Sequence, residues 1–218
     1  MIAAAEGPRP YLDRTDAGAQ LARHLAAAYA GRGDVVVLGL PRGGVPVAAE
    51  VARALGAPLD VFCVRKLGVP GQPELAMGAI ATGGVVVVNQ DVVAEIFVPP
   101  DVMAEVTAAE RAELERRERA YRGDRPPPSL AARTVVLVDD GLATGASMRA
   151  AVRAVRAAGP ARVVVAVPVA AAETCRSLEA EADEVVCPLA PEGFRSVGGW
   201  YEDFSTTSDD EVRRCLTS

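Results

Sequence analysis

The sequence predicts an α/β fold with a mainly parallel, Rossmann-like sheet flanked by helices. Three observations carry this. Short apolar runs such as Val35–Leu40, Thr134–Val138 and Arg162–Val167 are hydrophobic at nearly every position, as strands buried on both faces must be. Stretches of helical periodicity alternate with them, which places helices between parallel strands. The ends of three strands carry unusual chemistry, and ligands in such sheets bind at the carboxyl ends of strands.

Taken in order, Thr15–Ala30 reads as a helix with Leu21, Leu25 and Ala28 at helical spacing, closed by Gly31 and Gly33. The Val35–Leu40 strand runs into Pro41-Arg42-Gly43-Gly44, followed by a helix to about Leu55. A strand over Leu59–Val64 ends at Arg65-Lys66. The stretch Leu67–Glu74, with Gly68, Pro70, Gly71 and Pro73, predicts a mobile loop. Short strands over Met77–Ala81 and Val85–Val88 are joined at Gly83-Gly84. Asp101–Arg122 is a charged helix with favourable i, i+4 pairs (Glu113/Arg117, Glu115/Arg119, Glu118/Arg122) and the pattern of a solvated face. Pro126–Pro128 is a stiff spacer. Then follow strand Thr134–Val138, helix Ala146–Ala158, strand Arg162–Val167, helix Ala171–Ala180 and strand Glu184–Cys187.

The chain has 218 residues, half of them hydrophobic and 24% charged, which suits one soluble globular domain over 1–218. The longest apolar run, Val163–Ala172, contains a Pro and is too short to span a membrane. The first residues, with Glu6, Pro8 and Pro10, lack the basic leader of a secretory signal. A net charge of −6 argues against a nucleic-acid binder, which needs a basic face. The four cysteines form no CxxC pair, so they read as reduced thiols of a cytoplasmic protein. Of 23 basic residues 22 are Arg, and the one lysine is Lys66. A chain that otherwise always uses Arg has placed a compact, flexible ammonium there.

The strongest signal is Val135-Val136-Leu137-Val138-Asp139-Asp140-Gly141-Leu142-Ala143-Thr144-Gly145-Ala146-Ser147. A buried strand delivers two carboxylates to its end, and a small-residue turn leads into a helix whose first amides are unpaired. Those amides, with the Thr144 and Ser147 hydroxyls, make a nest for a terminal phosphate. Asp139 and Asp140 would repel a phosphate, so they belong opposite hydrogen-bond donors, and adjacent sugar hydroxyls fit. The expected ligand is a sugar phosphate. A strand-to-helix turn merely capped by Thr or Ser explains a lone Thr-Gly-x-Ser but not the paired acids before it.

This segment resembles the phosphoribosyl diphosphate (PRPP) motif of type I phosphoribosyltransferases. The resemblance runs from the Val35 strand to the Cys187 strand. Gly39-Leu40-Pro41-Arg42-Gly43-Gly44 resembles that family's pyrophosphate loop, and Arg65-Lys66 with the Gly/Pro stretch resembles the start of its flexible catalytic loop. Val64-Arg65-Lys66-Leu67-Gly68 and Glu74-Leu75-Ala76-Met77-Gly78-Ala79 are similar to a group of bacterial phosphoribosyltransferases of unassigned acceptor. The resemblance implies a core over about 33–188 and a hood from about 1–32 and 189–218.

By the same resemblance, PRPP is the co-substrate and Mg²⁺ the cofactor, held mainly by the substrate. Ala143, Thr144, Gly145, Ala146 and Ser147 would bind the 5′-phosphate, and Asp139 and Asp140 the ribose. Pro41, Arg42, Gly43, Gly44 and Lys66 would bind pyrophosphate. Lys66, Arg65, Asp139 and Asp140 form the catalytic set, with Lys66 and Arg65 neutralising the leaving group. Glu74, Leu142, Trp200 and Tyr201 are candidates for the acceptor, a nucleobase-like small molecule, which places the reaction in nucleotide metabolism. Ala143 stands where 6-oxopurine transferases have an Asp, so the acceptor stays open between purine, pyrimidine and others. The tail rings Phe194, Trp200, Tyr201 and Phe204 could stack on a base or anchor the tail. His24 reads as a surface or packing residue. The family often forms homodimers. Two other readings are weighed: a PRPP-sensing regulator on the same fold without turnover, and a phosphoacceptor receiver domain. The latter expects its acid pair near the domain start and its Lys after it, the reverse of the order here.

Overall fold

A computed structural model describes residues 11–217. Five strands form a parallel sheet in the order β2-β1-β6-β7-β8: β1 Val35–Gly39, β2 Leu59–Val61, β6 Thr134–Val138, β7 Arg162–Ala166 and β8 Glu184–Val186. Three more form a small antiparallel sheet, β3 Val64–Val69, β4 Gln72–Ala81 and β5 Val85–Val88. The helices are α1 Arg14–Tyr29, α2 Gly44–Leu55, α3 Gln90–Glu95, α4 Pro100–Arg122, α5 Ala146–Ala157, α6 Ala172–Leu178 and α7 Asp209–Thr217.

Burial follows the strand pleat. Val35, Val37, Val136, Val138 and Val164 face α1 and α2, and their alternates Val36, Leu38, Val135, Leu137 and Val165 face α5, α6 and the small sheet. Every residue of β1 and β6 is buried, which explains why these strands read as unbroken apolar runs. Each such side chain contributes roughly 1.5–3 kcal/mol on leaving water. A third apolar cluster ties the hairpin to α4 and α7 through Leu67, Met77, Ile80, Leu114, Tyr121, Val212 and Leu216.

The expected mobile loop over Leu67–Glu74 is instead mostly paired. β3 and β4 form a hairpin whose turn is Pro70-Gly71, with Gly71 at φ +80°. Gly68 marks the register shift of a β-bulge rather than a loop. The Leu59–Val64 strand divides in two: β2 ends at Val61, and the chain crosses to the second sheet at Phe62-Cys63. Neither α3 nor α7 was expected.

α4 is also more than a solvated face. Glu113–Arg117 and Glu118–Arg122 pair at 2.8 and 3.8 Å. Arg122, however, is buried, its Nε donating to both Asp60 oxygens at 3.0–3.1 Å and its Nη2 to the Val61 carbonyl at 2.9 Å. The helix is therefore pinned to the edge strand by an ion pair from which water is largely excluded. Among the described residues, no helix is long and apolar enough to cross a membrane.

Candidate active site

β1 and β6 are neighbours in register, Gly39 beside Val138, so the two turns that leave them lie side by side. The first turn is Leu40–Gly43, entering α2, and its Pro41–Arg42 peptide is cis. The second runs from Asp139 to Gly145 and enters α5. Their closeness dictates glycine: a Cβ on Gly43 would stand 2.0 Å from Asp140 Oδ2, and one on Gly44 2.7 Å from the Val138 carbonyl oxygen.

The two acids differ in their surroundings. Asp139 Oδ1 accepts the Asp140 amide at 2.9 Å. Burial, with the Asp140 charge beside it, holds the Asp139 carboxyl well above the usual carboxylate range. Burial raises Asp140 too, but Arg14 opposes this, its Nε donating to Asp140 Oδ2 at 2.8 Å. Arg14 also donates to the Ser205 carbonyl at 2.7 Å and lies 4.0 Å over the Phe204 ring. Sequence reasoning missed Arg14. Nothing local distinguishes it from 21 other arginines, and its partners are 126 and 191 positions away.

Beyond the acids, Asp139, residues 141–148 and Val197 line a cavity of about 230 Å³. Gly145 takes the left-handed conformation (φ +71°) at the start of α5, where no side chain caps the helix, which leaves its first amides without a side-chain acceptor. The Thr144 and Ser147 side chains are exposed at its edge. Two braces hold the turn from behind. Thr174 Oγ1 donates to the Ala143 carbonyl at 2.6 Å, and Arg149 Nη2 to the Thr144 carbonyl at 2.7 Å. The segment expected to hold a phosphate is thus gathered around one cavity, with the Ala143 and Thr144 carbonyls engaged by the two braces. Leu142 is an exception. Its side chain packs into the core at 3% exposure, its amide donates to the Val169 carbonyl at 3.0 Å and its carbonyl accepts from the Ala171 amide at 3.1 Å, so it holds the turn rather than a ligand.

Arg65 and Lys66 do not act on one point in this structure, because successive strand residues face opposite sides. Arg65 pairs with Glu110 on α4 at 2.6 Å. Lys66 lines a crevice of about 300 Å³ between the small sheet and α5, with Ala76, Ala79, Asn89, Ser147, Arg149 and Arg153. The sequence reading grouped Lys66 with Pro41–Gly44, whereas here it shares a wall with Ser147. Glu74 lies on β4, and its side chain is outside the described ones.

The tail is an anchor. Tyr11 and Tyr201 form a parallel bridge, Tyr11 N donating to the Trp200 carbonyl at 2.7 Å and Glu202 N to the Tyr11 carbonyl at 2.8 Å. The Tyr201 ring packs between Tyr11 and Phe204, centroids 5.5 and 5.0 Å away, and its hydroxyl donates to the Asp140 carbonyl. Tyr201 is therefore taken up in holding the acid loop, which removes it as a free stacking surface. Trp200 stays half-buried at the edge of this cluster, and His24 is exposed.

The family model for the phosphoribosyl transferase domain matches residues 11–198. The chain belongs to the phosphoribosyl transferase family. A Mycobacterium tuberculosis protein, named provisionally as a phosphoribosyl transferase, is 52% identical over 200 residues, which is 92% of this chain and 45% of that protein. The chain thus spans about half the length of the curated relatives it matches. A crystal structure of a Thermus thermophilus protein is 47% identical, covering 95% of this chain and 97% of that one at a TM-score of 0.85. A purine phosphoribosyltransferase from Pyrococcus horikoshii, 19% identical, covers 92% and 97% at a TM-score of 0.50 and shares the fold.

Proposed function

We propose that this phosphoribosyl transferase domain binds PRPP with Mg²⁺ and transfers the 5-phosphoribosyl group to a nucleobase-like acceptor, releasing pyrophosphate. The observation that carries this is the meeting of two adjacent strand-end turns: a cavity of about 230 Å³ lined by Asp139 and residues 141–148, beside a glycine turn bearing Arg42. The 5′-phosphate sits on the amides of 144–147, with the Thr144 and Ser147 hydroxyls as further donors. Asp139 and Asp140 accept from the ribose hydroxyls. Asp139 and Asp140 are also hard oxygen donors of the kind that suits Mg²⁺, which when bound would offset charge on the leaving group.

The acceptor nitrogen attacks C1 as the C1–O bond to pyrophosphate breaks. Positive charge grows on the sugar ring and negative charge on the diphosphate. The protein's part is positioning and electrostatics. Arg14 opposes the effect of burial on Asp140 and fixes its carboxyl group beside the sugar site, and Arg42 faces the diphosphate. Lys66, on the hairpin over α5, brings a mobile charge to the bound phosphates, while Arg65 holds the hairpin to α4. The tail after Cys187, bridged to Tyr11 at Tyr201, forms the hood, with Trp200 at the acceptor side, while α1 packs on the main sheet as part of the core.

Phosphorus NMR of PRPP, Mg²⁺ and the protein, with and without pooled bases, tests this reading. New pyrophosphate and nucleotide signals that need the pool are expected. The Asp139→Asn, Asp140→Asn double variant is expected to weaken PRPP binding at least tenfold. Unperturbed PRPP signals at saturation would refute the site, and perturbation without turnover would make the domain a sensor.

A further inference from the structure

Two thiols that the proposed reaction does not use lie together behind the phosphate turn. Cys175 is on α6 and buried, and Cys187 directly follows β8 and is half-buried. Both pack in the apolar cluster that α5 and α6 make with the main sheet. One carbonyl draws their segments close: that of Leu189 accepts the Ala170 amide at 3.1 Å and the Cys187 thiol at 3.3 Å. Cys175 stands one helical turn beyond Ala171, whose carbonyl accepts its amide at 3.1 Å. Each thiol is the largest influence on the other's ionisation. Hydrogen-bonding contact with Cys187 holds the Cys175 thiol below its ordinary value, and the same contact, with burial, pushes that of Cys187 far up. Of the two, Cys175 is therefore the nucleophile.

The same short helix touches the phosphate turn at three points. Thr174, the chain neighbour of Cys175, donates to the Ala143 carbonyl at 2.6 Å. Its methyl group packs so closely on Gly145 that a Cβ there would stand 2.6 Å from it. Just before the helix, the Ala171 amide donates to the Leu142 carbonyl at 3.1 Å. A shift of α6 against β8 is thus felt by the turn. β8 is fixed in the sheet by its ladder to β7, so α6 is the element that yields.

We propose that Cys175 and Cys187 are joined by hydrogen peroxide into a reversible disulfide, and that this bond withdraws the Thr174 brace and weakens the turn's hold on a sugar phosphate. The inference rests on the reading of residues 144–147 as the 5′-phosphate site and gives that site a redox control. The Cys175 thiolate attacks one peroxide oxygen, the O–O bond breaks, and hydroxide leaves and takes up the proton that Cys175 released, as water. The Cys187 sulfur attacks the sulfenic sulfur of Cys175, the S–O bond breaks, and hydroxide leaves with the Cys187 proton as a second water. Two thiols lose two electrons and one peroxide gains them. An S–S bond of about 2.05 Å is far shorter than the contact of two thiols, so it draws α6 toward the end of β8. Thr174 moves with Cys175, and its hydroxyl leaves the Ala143 carbonyl. A dithiol reductant reverses the bond by exchange.

The test treats the full chain with hydrogen peroxide, removes the oxidant, and compares it with the chain reduced by dithiothreitol. Mass spectrometry of unreduced digests maps the linkage, and calorimetric titration with ribose 5-phosphate reads the site. A Cys175–Cys187 linked peptide is expected, with binding roughly three- to tenfold weaker than in the reduced chain and restored by dithiothreitol. Cys175→Ala is expected to bind as the reduced parent does, before and after peroxide. The Cys63→Ala, Cys215→Ala double variant keeps only the pair and is expected to respond as the parent does. Circular dichroism confirms that each variant is folded. Absence of the linkage, or a linkage that leaves binding unchanged or tighter, overturns the proposal and leaves the phosphate site standing. If the reduced chain does not bind ribose 5-phosphate, the site reading fails and the proposal with it.

Discussion

Gly43→Ala adds one methyl group at the point where the two turns touch. Gly43 sits at φ −63°, ψ −32°, which alanine adopts without strain. Stiffening the unfolded chain would stabilise by about 0.4–1 kcal/mol, and losing glycine at a helix cap costs a similar amount. These offset, leaving the contact itself. The new Cβ would lie 2.0 Å from Asp140 Oδ2, 2.8 Å from its Cγ and 3.0 Å from Arg14 Nε. Asp140 cannot swing aside without releasing Arg14, because that same Oδ2 accepts from Nε at 2.8 Å. Overpacking alone costs about 1–3 kcal/mol. Breaking a largely buried pair costs about 3–5 kcal/mol. The pair here keeps 13–14% exposure, so roughly 2–4 kcal/mol is expected. For a chain of this size that lowers Tm by roughly 5–15 °C. Urea unfolding measures it, and a double-mutant cycle assigns it. In an Asp140→Ala background the cost should fall below about 1 kcal/mol, since the obstructing oxygen is gone. Equal cost in both backgrounds would refute the reasoning, as would a cost under about 0.5 kcal/mol in the native background.

Other consequences can be checked the same way. Arg122→Met leaves Asp60 buried without its partner and is expected to cost about 3–5 kcal/mol in urea unfolding, most of it recovered by adding Asp60→Leu. Thr174→Val removes the brace on the Ala143 carbonyl, and a roughly three- to tenfold rise in the Kd of ribose 5-phosphate is expected with that of pyrophosphate unchanged. Asp34 is held down at about 2 by hydrogen bonds from Arg32 and Thr134. A depressed carboxylate stabilises the fold above its unfolded value, near 3.8, and that stability is lost as pH falls through about 2. Asp34→Asn should therefore lower Tm at neutral pH and converge with the parent below about pH 2, as scanning calorimetry across pH would show.

Much of this was legible in the residues. Val35–Gly39 and Thr134–Val138 are unmistakable because both faces of a parallel strand are apolar, and the turn after Val138 is one contiguous segment, so its chemistry shows without a fold. What failed was non-local. Gly68, Pro70 and Gly71 suggest a long loop when read singly. Only the pairing of Gly68 with Ala76 and Val69 with Gln72 shows that they make one bulge and one tight turn. The role of Arg14 depends on partners at positions 140, 204 and 205, and that of Tyr201 on Tyr11, so neither has a local signature. α7 was missed because its polar Asp209-Asp210-Glu211 start hides an apolar face of only Val212 and Leu216.

The bridge between Tyr11 and the residues around Tyr201 also sets an order of assembly. The sheet and the phosphate turn close through contacts made within about the first 190 residues, so a chain emerging from the ribosome can form them early. Arg14 by then has Asp140 but neither the Ser205 carbonyl nor the Phe204 ring, and the acid loop lacks its Tyr201 clamp. Once the sheet and α1 have formed, the bridge at Tyr11 closes only the short stretch between β8 and Tyr201, so the tail docks as a late step on a formed core. The pocket that would hold the sugar is thus completed last, and a nascent chain is folded before it is competent.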